Sequence, residues 1–119
     1  MATLKATVRL RNDTTGLDRA PSPVEITTTG NRFQYNRLIV GTTEETLSVS
    51  GDLSNGTGYA LFINQDGTNY VQVGMSTGAY FMRLKAGEPA LLPLDNGVTT
   101  LYLKANTASC ELEVYITER

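Results

Sequence analysis

From Thr3 the chain alternates strictly, with Leu4, Ala6, Val8 and Leu10 on one side and Thr3, Lys5, Thr7, Arg9 and Arg11 on the other. A period of two predicts a strand with one wet face. Residues 12–23 then supply turn formers and Pro21-Ser22-Pro23, which cannot donate ladder hydrogen bonds, so a long exposed loop is expected. Alternation resumes at Val24, Ile26 and Thr28, and Gly30-Asn31 marks a turn. Between Arg32 and Val40 the pattern is less clean. Phe33, Tyr35, Arg37 and Ile39 share one side, and Gln34, Leu38 and Val40 the other, so apolar groups fall on both. A bulge, or cover on both faces, would account for that.

A shorter strand is expected around Thr46 to Ser50, followed by turn residues 51–58, in which Asn55-Gly56 suits a positive φ. Two runs, Tyr59 to Asn64 and Thr68 to Met75, flank Asn64-Gln65-Asp66-Gly67, the strongest hairpin signal in the chain. After Ser76-Thr77-Gly78, residues Ala79 to Lys85 alternate again. A turn at Ala86 to Pro89 leads into Ala90 to Leu94, where Pro89 and Pro93 point to an edge strand. Asp95-Asn96-Gly97 precedes a strand at Thr100 to Ala105. The last, Ser109 to Thr117, places Cys110, Leu112, Val114 and Ile116 inward and Glu111, Glu113 and Tyr115 outward. No segment keeps a helical period. Nine or ten short strands in one domain over residues 1–119 predict an all-β antiparallel sandwich, jelly-roll-like or immunoglobulin-like, with a small barrel fitting the same rhythm.

Composition agrees with that reading. The chain has 119 residues, enough for one core, with 40% hydrophobic and only 18% charged residues, and threonine, which favours pleated surfaces, is abundant. A net charge of −2 with no basic stripe argues against nucleic-acid binding. Cys110, the single cysteine, excludes an internal disulfide and reads as a small buried hydrophobe. Met1 to Lys5 shows no apolar leader, and the apolar runs Ala60 to Ile63 and Ala90 to Leu94 are too short to cross a bilayer. Synthesis and folding in the cytoplasm are therefore expected, and the triplets at Asn12 and Asn55 then carry no meaning as glycosylation sites.

The chain contains no histidine, which removes the commonest general base and the commonest metal ligand together. With one cysteine a zinc site is not expected, and Asn64 to Gly67 lacks the alternating acidic ligands and closing glutamate of a calcium loop. Two carboxylate pairs suit glycosidase chemistry by type, Glu44 with Glu45 and Glu111 with Glu113. On an extended segment the first pair would diverge, whereas the second would share a face as ordinary surface charge. Gly56-Thr57-Gly58 precedes a strand rather than a phosphate-holding helix. No enzyme, cofactor or metal is expected. The six tyrosines and three phenylalanines are the residues best suited to binding, and Tyr59, Tyr70, Tyr80, Tyr102 and Tyr115, each with an apolar body and a polar tip, lie in predicted strands.

Four stretches carry a resemblance. Asn69-Tyr70-Val71-Gln72-Val73-Gly74, then Phe81 to Leu94 with Arg83-Leu84-Lys85-Ala86-Gly87-Glu88, then Leu101 to Ala108 and Leu112-Glu113-Val114, resemble the small β-rich virion proteins of tailed bacteriophages. The likeness spans about residues 59–116 and marks fold elements, not a chemical site. It implies a phage particle component, with capsid decoration as the working expectation: a homo-oligomer that cements the outer lattice of the major capsid protein, or binds other virion proteins, without catalysis. Candidate contacts are Asn12, Asp13 and Arg19 in the exposed loop, with Tyr59 and Tyr70. A minor neck or tail component, or a glycan-binding module, is the alternative. Two or more tyrosines on one concave face would favour the glycan module.

Overall fold

The computed structural model describes residues 2–49 and 53–119; Ser50, the expected end of a strand, and the turn formers Gly51 and Asp52 lie outside the described residues. The described residues form twelve strands and no helix: β1 (Ala2–Ala6), β2 (Leu10–Asn12), β3 (Leu17–Arg19), β4 (Val24–Thr28), β5 (Phe33–Val40), β6 (Glu45–Ser48), β7 (Thr57–Asn64), β8 (Val71–Ser76), β9 (Ala79–Leu84), β10 (Pro89–Pro93), β11 (Thr100–Ala105) and β12 (Cys110–Glu118).

Eight of these strands make two four-stranded antiparallel sheets, ordered β10-β7-β12-β5 and β6-β11-β8-β9. The pairings are nested: β5 with β12, β6 with β11, β7 with β10, β8 with β9. A long antiparallel ribbon rolled up so that its two ends meet gives this order, which is the jelly roll among the sandwiches that the alternation allowed. The fold class read from the sequence is thus correct, and the count of nine or ten strands was short by the elements described next.

The core lies between the two sheets. Every buried apolar side chain among the described residues falls between Val40 and Ile116, with Phe62, Leu101, Leu103, Leu112 and Ile116 the largest of them. Strand β12 sits between β7 and β5 and contributes Cys110, Leu112, Val114 and Ile116, all fully buried, on the inward side that alternation assigned. Each such Leu or Ile stabilises the fold by roughly 1.5–3 kcal/mol relative to an exposed one.

Two expectations need correction. The strand expected from Thr3 to Arg11 ends at Ala6, and the loop expected over residues 12–23 contains a hairpin, β2 with β3. A tight turn makes it. Asn12 Oδ1 accepts the N–H groups of Thr14 (3.0 Å) and Thr15 (3.1 Å), Gly16 N donates to Asn12 O (3.0 Å), and Gly16 has φ +78°. The segment is exposed throughout, as expected, and so are Val8 and Leu10, which alternation had placed on an inner face.

The second correction concerns Asn64 to Gly67, which is no hairpin. β7 and β8 belong to different sheets, so the chain crosses the sandwich there. The fully buried Asn64 holds this corner. Its Nδ2 donates to Asn69 O (3.0 Å), Leu84 O (3.0 Å) and Lys85 O (3.1 Å), and its Oδ1 accepts from Asp66 N (3.0 Å). Asp66 Oδ2 accepts the N–H groups of Asn69 and Thr68, and these bonds hold its carboxyl below the usual range.

Strands β1 and β4 pair only with each other, as do β2 and β3, so residues 2–28 form an arm outside the roll. Its attachment is polar: Gly30 N donates to Arg119 O (2.9 Å) and Glu118 Oε2 accepts from Arg32 N (3.1 Å). At Gly30 an added Cβ would run into the Glu118 side chain, which could clear it only by giving up the hydrogen bonds that hold its carboxylate.

Candidate functional site

The outer face of sheet β10-β7-β12-β5 carries apolar side chains where a solvated sheet face would carry polar ones. The register lines up Leu91, Leu61, Tyr115 and Tyr35 in one row across all four strands. Tyr35 and Tyr115 stack, with ring centroids 4.6 Å apart and planes at 26°, a contact worth about 0.5–1.5 kcal/mol beyond burial.

One charged cluster lies beside that row. Arg37 Nε donates to Glu111 Oε1 (2.6 Å), and Arg37 Nη1 lies 3.5 Å from Glu113 Oε1. Gln65 Nε2 (3.0 Å) and the Tyr115 hydroxyl (3.0 Å) also donate to Glu113. The hydrogen bond from Arg37 holds the Glu111 carboxyl below its ordinary range, and the bond to Glu113 followed by burial raises the Tyr115 phenol. Glu111 and Glu113 do share a face, and one guanidinium reaches both.

The pair Glu44 and Glu45 diverges. Glu44 accepts from Tyr80 OH and Gly78 N (2.8 Å), while Glu45 accepts from Gly41 N (2.8 Å). The Tyr80 bond lowers the Glu44 carboxyl and pushes the Tyr80 phenol up to about 12. Among the described residues no group of three acidic or thiol side chains is placed to hold a metal.

A groove of about 700 Å³ runs where the arm crosses this face, with Leu4 to Arg9 on one side and Tyr59, Leu61, Leu91 and Tyr115 on the other. Thr7, Val8 and Arg9 lie in the gap between β1 and β2, outside any strand ladder. Arg9 ties this stretch to the hairpin through Asp18, at 3.0 and 2.8 Å.

The five candidate contact residues separate into three places. Asn12, Asp13 and Arg19 lie on the exposed hairpin, where Asn12 builds the turn and Asp13 pairs with Arg11 at 2.6 Å. Tyr59 lines the groove, half-buried. Tyr70 is elsewhere, just before β8, with the Arg83 guanidinium 4.1 Å above its ring and its N–H on Asn106 Oδ1 (3.1 Å). Tyr35 and Phe33 belong to the aromatic residues read as suited to binding, but neither they nor Ile39 stand among the five contact candidates. The signal was present in β5, where Phe33, Tyr35 and Ile39 fall on the side opposite to Gln34 and Asn36 while Leu38 and Val40 already supply the inward side. No family model matches this chain, and no curated protein matches it.

Proposed function

We propose that this chain is a non-catalytic structural protein of a phage particle, and that its role is capsid decoration: binding to the outer lattice of the major capsid protein. The observation that carries this reading is the amount of apolar surface left open. Val8, Leu10, Leu17 and Val24 on the arm and Phe33, Tyr35 and Ile39 on the sheet are all exposed. Phe33, Tyr35 and Ile39 share the outer side of β5, and apolar side chains gathered on one exposed face mark contact with other macromolecules. The carboxylates of Glu44, Glu111 and Glu118 are all held low, foremost by the Tyr80 hydroxyl, the Arg37 guanidinium and the Asn55 N–H respectively, which suits a binding role better than proton transfer. Multivalent contact on a repeating lattice then supplies avidity from individually weak patches.

The test is cryo-electron microscopy of particles, with purified chain added back to undecorated capsids. Density over the outer shell and raised capsid melting temperature are expected; density confined to neck or tail removes the decoration role. A second reading, glycan binding, draws on Tyr59 and Tyr115, which both line the groove. Jelly rolls serve lectin as well as capsid domains. A glycan array that stays blank at millimolar sugar eliminates it.

A further inference from the structure

The two sheets have four free edges, and three of them are guarded. On β10, Leu94 N bonds Gly58 O and Asn64 N bonds Glu88 O, so the even-numbered residues face β7 and Pro89, Leu91 and Pro93 face outward. Two of those three positions have no N–H to offer. β6 is four residues long, and Gln34 Nε2 already bonds its Ser48 carbonyl (2.9 Å). β9 shifts register twice against β8, which breaks a regular edge.

β5 has no such guard. It runs eight residues in unbroken register with β12. Glu118 N bonds Arg32 O (3.0 Å), which fixes the phase: Gln34, Asn36, Leu38 and Val40 turn their backbone groups to β12, and Phe33, Tyr35, Arg37 and Ile39 turn theirs to the open edge. The same four residues project onto the outer face, where Phe33 is 67% and Ile39 69% exposed. Their charge is already turned along the sheet, since Arg37 is held by Glu111. The inner side carries Gln34 and Asn36, and two buried atoms there, Gln34 Oε1 and Asn36 Nδ2, have no hydrogen-bond partner among the described residues. A long, regular edge with its apolar residues on the uncovered side is a template for another strand.

We infer that β5 pairs antiparallel with β5 of a second copy across a two-fold axis, joining two four-stranded sheets into one of eight strands. A strand identical to itself is the occupant that a two-fold requires. The open-edge phase permits two registers with near-complete overlap. One sets Arg37 against Arg37 of the second copy, which like-charge repulsion disfavours. The other sets Phe33 against Ile39 and Tyr35 against Arg37, each pair occurring twice, with Asn36 facing Asn36 on the axis. This second register matches aromatic with aliphatic and keeps the two Arg37 side chains from facing each other. It also gives every outward N–H and C=O of these four residues a partner. The pairing stands apart from the virion role, and its failure would leave that reading intact.

Sedimentation equilibrium on the full chain tests it. A dimer is expected, and Ile39→Glu raises its dissociation constant roughly tenfold or more, because the two-fold repeats the loss. Adding Phe33→Lys to Ile39→Glu restores the dimer, since each lysine then faces a glutamate of the other copy, whereas within one chain the two sites are too far apart along the strand to meet. Oxidised Asn36→Cys forms an interchain disulfide, the facing Cα atoms of such a pair lying about 4.5 Å apart. A chain that stays monomeric at millimolar concentration, a dimer indifferent to Ile39→Glu, or a double variant without rescue overturns the inference.

Discussion

Glu118, only 2% exposed, binds four donors: Asn55 N (2.9 Å), Asn55 Nδ2 (3.0 Å), Ser54 Oγ (3.1 Å) and Arg32 N (3.1 Å). The Asn55 N–H is the foremost cause that brings its carboxyl down to about 2, from an ordinary 4.5. A depressed folded value means that this stabilisation is complete above pH 4.5 and drains away as pH falls towards 2. Glu118→Gln is therefore expected to melt lower at neutral pH and to show a flatter melting-temperature profile across that acid window; profiles parallel to the wild type would refute the assignment. Asn64 poses a different test. Asn64→Ala takes the side-chain donor from the carbonyls of Leu84 and Asn69 and leaves Lys85 O with Glu88 N alone, at a cost of about 2–3 kcal/mol in urea unfolding. A loss under about 0.5 kcal/mol would mean that water takes over the corner.

Among the elements, β10 shows how proline placement sets the use of an edge. Replacing Pro89 and Pro93 together by threonine adds two outward N–H groups and makes β10 a second open edge. Light scattering should then show assemblies growing beyond the wild-type size; an unchanged size would show that the prolines guard nothing. That β10 is an edge was legible from its prolines, as the inward side of β12 was from four apolar residues at alternate positions. The hairpin within residues 12–23 was not. It rests on an Asn12 side chain and a positive-φ glycine, in a segment where no residue is buried and hydrophobic rhythm is silent. Asn64 to Gly67 misled for a related reason: turn chemistry states that the chain reverses, not whether it returns to the same sheet. The mixed pattern of β5 was noticed in the sequence, but its meaning depended on which strands flank it.

At the scale of the whole molecule, a Cα radius of gyration of 15.1 Å exceeds the roughly 13.5 Å expected for a compact chain of this length. The arm outside the roll accounts for the excess. Because the buried apolar core begins at Val40, removing residues 2–28 should leave the jelly roll folded, with less than about 2 kcal/mol lost by chemical denaturation. Loss of the cooperative transition would show that the arm completes the fold. Strand order could not be read in one dimension, since alternation tells each strand which side is wet without telling it who its neighbours are. The nested ladder has a kinetic consequence. Strand β12 is the keystone between β7 and β5, and its partners on β5 lie about seventy residues or more away along the chain, so closing the core means paying a large loop entropy before any reward. Refolding is expected on the millisecond-to-second timescale typical of such topologies, with weakened β12 packing slowing closure more than it speeds opening.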